Sequence, residues 1–287
     1  MKKNKNKQIK QNIIKFLFIL PALLIFIFII GIPFFSGINI SLTNWNGISD
    51  TYDYVGLKNL KTLFQDPQII LPIKNTILYT ALTLIGVNVL ALLIALGLTS
   101  NFKGAKFMRS VMFLPIITSL VIASFIWTYM YIDVLSLVGI PGPLGNPNYV
   151  MYGIVIICLW RDTGLAMVIY IAALQNVPSD LVEAARIDGA SKLQVFKNVT
   201  LPMISPAITV CTTLWMGYGL KSFDYVKTAT NGGPGRASET FALYVYNHTF
   251  TNNRTGYGQM AAIVMLIFVL GISLSTTALL RKMEVQE

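Results

Sequence analysis

From 16 to 35 the chain reads FLFILPALLIFIFIIGIPFF, twenty residues without a charged side chain. In a helix, such a stretch is about 30 Å long, the thickness of a bilayer's hydrocarbon core. Lipid offers backbone groups no hydrogen-bond partner, so a segment of this kind crosses a membrane only as a helix. The run exceeds the roughly 7 to 15 apolar residues of a signal-peptide core, and no small-residue cleavage site follows it. It therefore reads as an uncleaved first span, with kinks expected at Pro21 and Pro33. Five further apolar runs, at about 73–98, 111–131, 149–174, 207–225 and 257–280, give six spans and place both termini on one side.

The flanking charges set the orientation. Lysine and arginine number six in the tail to Lys15, three in the 101–110 loop, three in 178–202 and two at Arg281–Lys282, fourteen in all. The opposite loops hold six, and Lys74 and Arg161 fall inside spans. The excess assigns the tail, the 178–202 loop and the C-terminus to the cytoplasm. Residues 1–14 read as a basic cytoplasmic tail, 15–282 as the transmembrane domain and 283–287 as a second cytoplasmic tail. External loops are expected at 37–66, at the glycine- and proline-rich 133–148, and at 227–254 with an amphipathic helix near 240–250. The formal charge of +10 does not imply nucleic acid, because basic residues flank apolar runs rather than alternating with aromatics. Hydrophobic residues make up 54% and charged ones 12%, a membrane protein's composition that excludes most soluble readings. Cys158 and Cys211 lie inside apolar runs as small hydrophobes.

The most informative polar interruption between spans is 178–202, PSDLVEAARIDGASKLQVFKNVTLP. Pro178 precedes a helix beginning near Asp180, where Asp180 and Glu183 are spaced for a capping box. Leu181, Ala184, Ala185 and Asp188 share one face, and Gly189 stops the helix. Ser191 with Gln194 forms a second box, opening a helix expected to run to Val199 and end at Leu201–Pro202. The product is a helix-turn-helix elbow.

Chemistry inside the spans is sparse. There is no phosphate loop, no nucleophile elbow and no histidine spacing for a metal, so no catalytic or metal-ligating residue is assigned. His248 reads as a surface residue, and 232–235 as turn chemistry. Arg161–Asp162 in the fourth run is costly in lipid and must face a cavity or another helix, as a substrate contact or as an ion pair between helices. Trp215, Tyr218 and Ser222 fall at i, i+3 and i+7, either as a stacking face for a sugar ring or as packing anchors. Asn88, Trp127 and Tyr131 are weaker candidates.

Glu183-Ala184-Ala185, Asp188-Gly189-Ala190 and Leu201-Pro202 resemble the EAA loop of binding-protein-dependent ABC transporter permeases. Ile187-Asp188-Gly189-Ala190-Ser191, Phe223-Asp224 and Thr230-Asn231-Gly232-Gly233-Pro234, with SLTNWNG and YVGLKNL upstream, resemble the maltose- and glycerol-phosphate-type permeases. The resemblance implies an all-α polytopic membrane protein of six transmembrane helices with the type I ABC importer permease fold, in a bacterial cell membrane. In such a fold 176–204 is the coupling loop, where Glu183 orients the ATPase, Ala184 and Ala185 permit close contact, and Asp188 and Gly189 form the turn. Trp160 and Arg161 before the loop, and Trp215, Tyr218, Gly219 and Ser222 after it, match the family's substrate pathway; Gly219 and Ser222 stand where that family can place asparagines. It also implies a heterodimer with a second homologous permease, two ATP-binding subunits and an extracellular solute-binding protein. ATP and Mg would be bound by the ATPase partner, with no cofactor in this chain. The implied cargo is a sugar, an oligosaccharide first. The alternatives are glycerol phosphate or another small solute, and a non-transport assembly or sensor subunit.

Overall fold

The computed structural model describes residues 2–99 and 103–281, with side chains from residue 11 onward. The basic side chains of the first ten residues, Lys282 and the 283–287 tail lie outside what is described. Helices follow one another along the chain as α1 (Lys2–Phe26), α2 (Ile32–Ser41), α3 (Lys58–Gln65), α4 (Ile70–Thr99), α5 (Ala105–Ile117), α6 (Leu120–Tyr129) and α7 (Val150–Gln175). The second half adds α8 (Ser179–Ile187), α9 (Lys192–Val195), α10 (Ser205–Leu220), α11 (Asp224–Ala229), α12 (Phe241–Tyr246) and α13 (Thr255–Arg281). Among the described residues five helices are long and apolar enough to cross a bilayer, and the bent pair Lys192–Met203 and Ser205–Leu220 makes six when counted as one span.

Two compact units emerge. One comprises 1–65 with 245–263, the other 66–244 with 264–287. In the first, the loop after α2 is tied into a closed turn: Asn59 Nδ2 donates to the carbonyls of Ser41 and Thr43, and Trp45 Nε1 to that of Ser49. His248 is half-buried rather than a surface residue, its ring 5.0 Å from that of Tyr257. A π-helical turn at Ile27–Gly31 separates α1 from α2 and leads directly into Pro33, while Pro21 sits within α1.

The second unit is built on α4, α7 and α10. Their core joins Val87, Ala91, Ala95, Ala166, Met167, Tyr170, Ile204 and Trp215. Small residues on α4 let α7 lie close, and the buried hydroxyls of Thr76, Thr80 and Thr83 bond back to carbonyls three or four residues earlier, needing no water. Asn88 accepts from the Tyr170 hydroxyl and so joins α4 to α7.

Three boundaries differ from the sequence reading. The third apolar run is broken at Thr118–Ser119, and its long apolar helical stretch is Leu120–Leu137: Pro115 lies in the last turn of α5, and Ser119 caps α6 by accepting from the Ile122 amide at 3.2 Å. Leu201–Pro202 does not end the elbow's second helix. Pro202 has no amide to donate, and a π-helical turn, Phe196–Thr200, carries the chain past it to Met203. The fifth span stops at Leu220 instead of reaching Tyr225, so Ser222 lies in a turn whose amide bonds to the Gly219 carbonyl at 3.0 Å. The expected 240–250 helix is present as α12 followed by a π-helical turn, Asn247–Thr251.

Candidate functional site

A cavity of about 410 Å³ opens among α4, α5, α6, α7, α10 and α11. Tyr79 and Thr83 line it from α4, Arg161 and Asp162 from α7, Trp215, Tyr218 and Gly219 from α10, and Ser222, Phe223 and Tyr225 from the turn into α11. Five of the six residues expected in the substrate pathway meet here. Trp160 does not: it faces away from Arg161 and packs on Trp127, ring centroids 5.9 Å apart, in a separate apolar groove. Consecutive helical residues point about a quarter-turn or more apart, so Trp160 and Arg161 cannot share a wall.

Arg161 carries two jobs. Its Nη1 pairs with Asp162 Oδ1 at 2.8 Å within the same helix, while Nε and Nη2 donate to the carbonyls of Thr118 and Ile116 at 3.2 and 3.4 Å. The break between α5 and α6 leaves those carbonyls without helical donors, and the guanidinium supplies them. The ion pair is thus within α7, not between helices, and the arginine caps a neighbouring helix while facing the cavity. Asp162 Oδ2 accepts from the Cys158 thiol at 3.5 Å.

Aromatic surface dominates the opposite wall. Trp215 is buried and Tyr218 is 57% exposed, their rings edge-on with centroids 6.3 Å apart. Trp215 Nε1 has no protein partner among the described residues, and the hydroxyls of Ser222 and Tyr225 stand beside Tyr79 and Arg161 without a well-formed hydrogen bond. Gly219 is there for packing: a Cβ at this position would sit 2.9 Å from the Thr80 backbone. Sequence reasoning missed Tyr79, Tyr225 and Phe223; the polar stripe Thr76, Thr80, Thr83 flanking Tyr79 was the available signal.

The segment after the cavity is held firmly. Asn75 Nδ2 donates to the carbonyls of Ala237 and Glu239, the Phe241 amide to Thr76 Oγ1, and Thr240 Oγ1 to the Ser222 carbonyl. Arg236 bridges Glu239 at 2.6 Å and Gln68 at 2.7 Å. Gly232 and Gly235 both have positive φ, the turn chemistry expected of NGGPG.

The elbow is local in its bonding and exposed. α8 begins at Ser179, and neither Asp180 nor Glu183 forms the expected box: Pro178 occupies the capping position and offers no side-chain oxygen. The Ser191–Gln194 box does form, with bonds of 2.8 and 3.4 Å. α8 ends in a Schellman pattern, the Ala190 amide on Ala185 and the Gly189 amide on Arg186, with Gly189 at φ +81°. A Cβ there would meet nothing, so backbone conformation rather than bulk requires glycine. Glu183, Ala184 and Asp188 are exposed and Ala185 is half-buried. After α9 the helical path reaches Met203 and turns by 66° at buried Ile204 into α10.

Residues 87–285 match the family described as binding-protein-dependent transport system inner membrane component. The chain belongs to this family. It is a membrane permease component of an ABC import system, multi-pass and all-α. The permease is 35% identical to the probable starch degradation products transport system permease protein AmyD of Thermoanaerobacterium thermosulfurigenes, over 98% of this chain and 99% of the relative. It is 31% identical to the multiple sugar-binding transport system permease protein MsmF of Streptococcus mutans, over 93% and 95%. Its fold matches a chain in the crystal structure of a bacterial ABC transporter involved in import of the acidic polysaccharide alginate, with TM-score 0.80, 24% identity and coverage of 97% and 99%.

Proposed function

We propose that this permease forms half of the translocation path for a neutral oligosaccharide, delivered by an extracellular solute-binding protein and driven by a separate pair of ATP-binding subunits that bind ATP and Mg. A second, homologous permease completes the path. The observation that carries the cargo class is the cavity: the exposed phenol ring of Tyr218 for the C–H face of a sugar, beside the polar side chains of Arg161, Asp162, Lys221 and Asp224 for its hydroxyls. Arg161, Trp215, Tyr218, Gly219 and Ser222 line that path. The relatives' names, starch degradation products and multiple sugars, point to the same class. Glycerol phosphate is the weaker cargo, because Arg161 already has Asp162 as its counter-charge and two carbonyls as acceptors.

Coupling runs through the elbow. Glu183, Ala184, Ala185, Asp188 and Gly189 form the ATPase-docking face, supported by large apolar side chains left in solvent there: Ile187 is 85% exposed, and Leu181 and Leu193 are also exposed. With the tail, the 101–110 loop and the elbow in the cytoplasm, as the basic residues favour, docking occurs on the side where ATP is. α8 moves as a rigid body with the ATPase and carries α7 and α10, the two main cavity helices.

The test is ATP hydrolysis by the reconstituted transporter, with binding protein present, across neutral oligosaccharides, monosaccharides and glycerol phosphate. Stimulation by a neutral oligosaccharide, lost in Trp215→Ala, is the expected result. Stimulation by glycerol phosphate alone overturns the cargo assignment, and no stimulation by any solute favours a non-transport subunit.

A further inference from the structure

The two motifs furthest upstream, SLTNWNG and YVGLKNL, have no part in the transport cavity and meet instead within the first unit. With the turn before α13 they form a polar pocket of about 240 Å³, whose lining includes Asn44, Lys58, Asn59, Thr62, Arg254 and Tyr257. Backbone bonds fix its walls. The Gly256 amide donates to the Trp45 carbonyl at 2.8 Å, the Val55 amide to that of Leu42 at 2.8 Å, and the Arg254 amide to that of His248 at 2.9 Å. The turn sits hard against the loop, since a Cβ at Gly256 would collide with the Thr43 carbonyl.

Two cations stand in that lining without a counter-charge. Lys58 and Arg254 are exposed, and among the described residues neither side chain forms an ion pair or a hydrogen bond. The Arg254 guanidinium lies over the Tyr257 ring at 4.4 Å, and Tyr257 is itself buried, with His248 edge-on at 5.0 Å. Stacking holds the guanidinium by its face and leaves its in-plane N–H donors for a planar acceptor. The acidic side chains of the same loop do not serve: Asp53 accepts from Asn44 Nδ2 at 3.3 Å, and neither it nor Asp50 pairs with Lys58 or Arg254. Like charges lining one pocket repel, and a single carboxylate satisfies both.

Size and surroundings say where that carboxylate comes from. The pocket is smaller than the roughly 300 to 1,000 Å³ of small-molecule sites and suits one side chain of a protein. Beside it Trp45, Tyr52 and Tyr54 follow in a row, successive ring centroids 6.1 Å apart, and Tyr52, Tyr54, Ile48 and Leu57 are exposed. Protein interfaces place aromatic and apolar surface of this kind around a charged anchor. A lipid headgroup lies lower: the uncharged run ends at Phe35, and Ser41, where the pocket's loop begins, is about 9 Å further along the helix, past a headgroup layer of roughly 5 to 8 Å.

We infer that the pocket takes an aspartate or glutamate side chain of the extracellular solute-binding protein, its carboxylate paired with Arg254 and the Lys58 ammonium, while Tyr52 and Tyr54 pack on the protein around it. The identity of that partner and the side on which it docks rest on the import reading and orientation above; the pocket's preference for a carboxylate rests on its own residues.

The test measures capture of the cognate solute-binding protein by the assembled transporter in lipid nanodiscs. Arg254→Gln should weaken affinity about 10- to 100-fold, the range for a lost charge-assisted pair. Lys58→Gln should weaken it less, chiefly by slowing association. Lys61→Gln removes an equal charge from the next turn of α3, outside the pocket, and should change affinity by less than about two-fold. Arg254→Glu should abolish capture, and one Asp→Lys or Glu→Lys substitution in the binding protein should restore it. In ATP hydrolysis, Arg254→Gln should raise the binding-protein concentration needed for half-stimulation and leave the maximum at the parent level. Parent affinity in both Arg254→Gln and Lys58→Gln overturns the proposal, as does an equal loss in Lys61→Gln. A loss confined to nanodiscs containing phosphatidylglycerol assigns the pocket to a lipid headgroup and overturns it too. In all three results the parent still responds to the binding protein, so the import reading stands; a parent that the binding protein neither binds nor stimulates sinks both.

Discussion

The first span and the fourth invert the rule for soluble proteins. Gln11–Ser41 is the most hydropathic crossing, and none of its central window is buried within the chain; Val150–Gln175 is less hydropathic, and 61% of its window is buried. In water the most apolar helix would sit deepest. In lipid the apolar side chain gains nothing by leaving the tails, so continuous hydropathy marks a helix facing solvent hydrocarbon or a partner, while polar and small residues mark the packed interior. α7 carries Arg161, Asp162, Thr163 and Gly164 for that reason.

Substitutions test how far this inversion extends. The largest effect is expected in α7: Asp162→Ala leaves the Arg161 guanidinium without its counter-charge and should cost about 3 kcal/mol, read as a lowered unfolding midpoint of the purified transporter. Arg161→Met should cost about as much, because it leaves the Asp162 carboxylate without its counter-charge and the Thr118 and Ile116 carbonyls without their donors. If both variants unfold like the parent, the polar interior of α7 contributes nothing and the comparison fails. Next comes Gly219→Val, where the new methyls meet the Thr80 backbone; α10 is displaced at a cost of about 2 kcal/mol, and uptake falls even where the protein is stable in detergent. Gly189→Ala should be milder, about 1 kcal/mol from the positive φ, with Gly189→Asn closer to the parent in ATPase-coupled uptake. If a large side chain with the same backbone penalty abolishes uptake where alanine does not, a partner surface fills the open space around this position. The smallest change is expected from Phe18→Leu in the first span, within about 0.5 kcal/mol, since its ring is 84% exposed.

What could be read in advance follows the same physics. Apolar runs, the Ser191–Gln194 box and the glycine stop at Gly189 are local signals whose partners lie within a turn, and each is present in the structure. The Asp180–Glu183 box failed because Pro178 started the helix one residue earlier and took the capping place. The break at Thr118–Ser119 was hidden inside an apolar run, since its compensation comes from Arg161, 43 residues away along the chain. The end of α10 at Leu220 was equally hidden, because Thr240 holds the following turn from outside it. Placement of Arg161, Trp215 and Tyr218 around one cavity is tertiary information; helical spacing alone put Ser222 on a face that the helix never reaches.

The bend at Ile204 sets the stretch from Lys192 to Met203 as an arm at 66° to α10. The arm from Lys192 to Met203 is about 18 Å long at 1.5 Å per residue, and its inner end is fixed in the core. A push of about 3 Å at the outer tip turns such an arm through roughly 10° about Ile204. If the proposed docking delivers that rotation to α10, Trp215 and Tyr218 shift relative to Arg161 across the cavity, and a displacement smaller than one residue's length at the surface becomes a change of shape there.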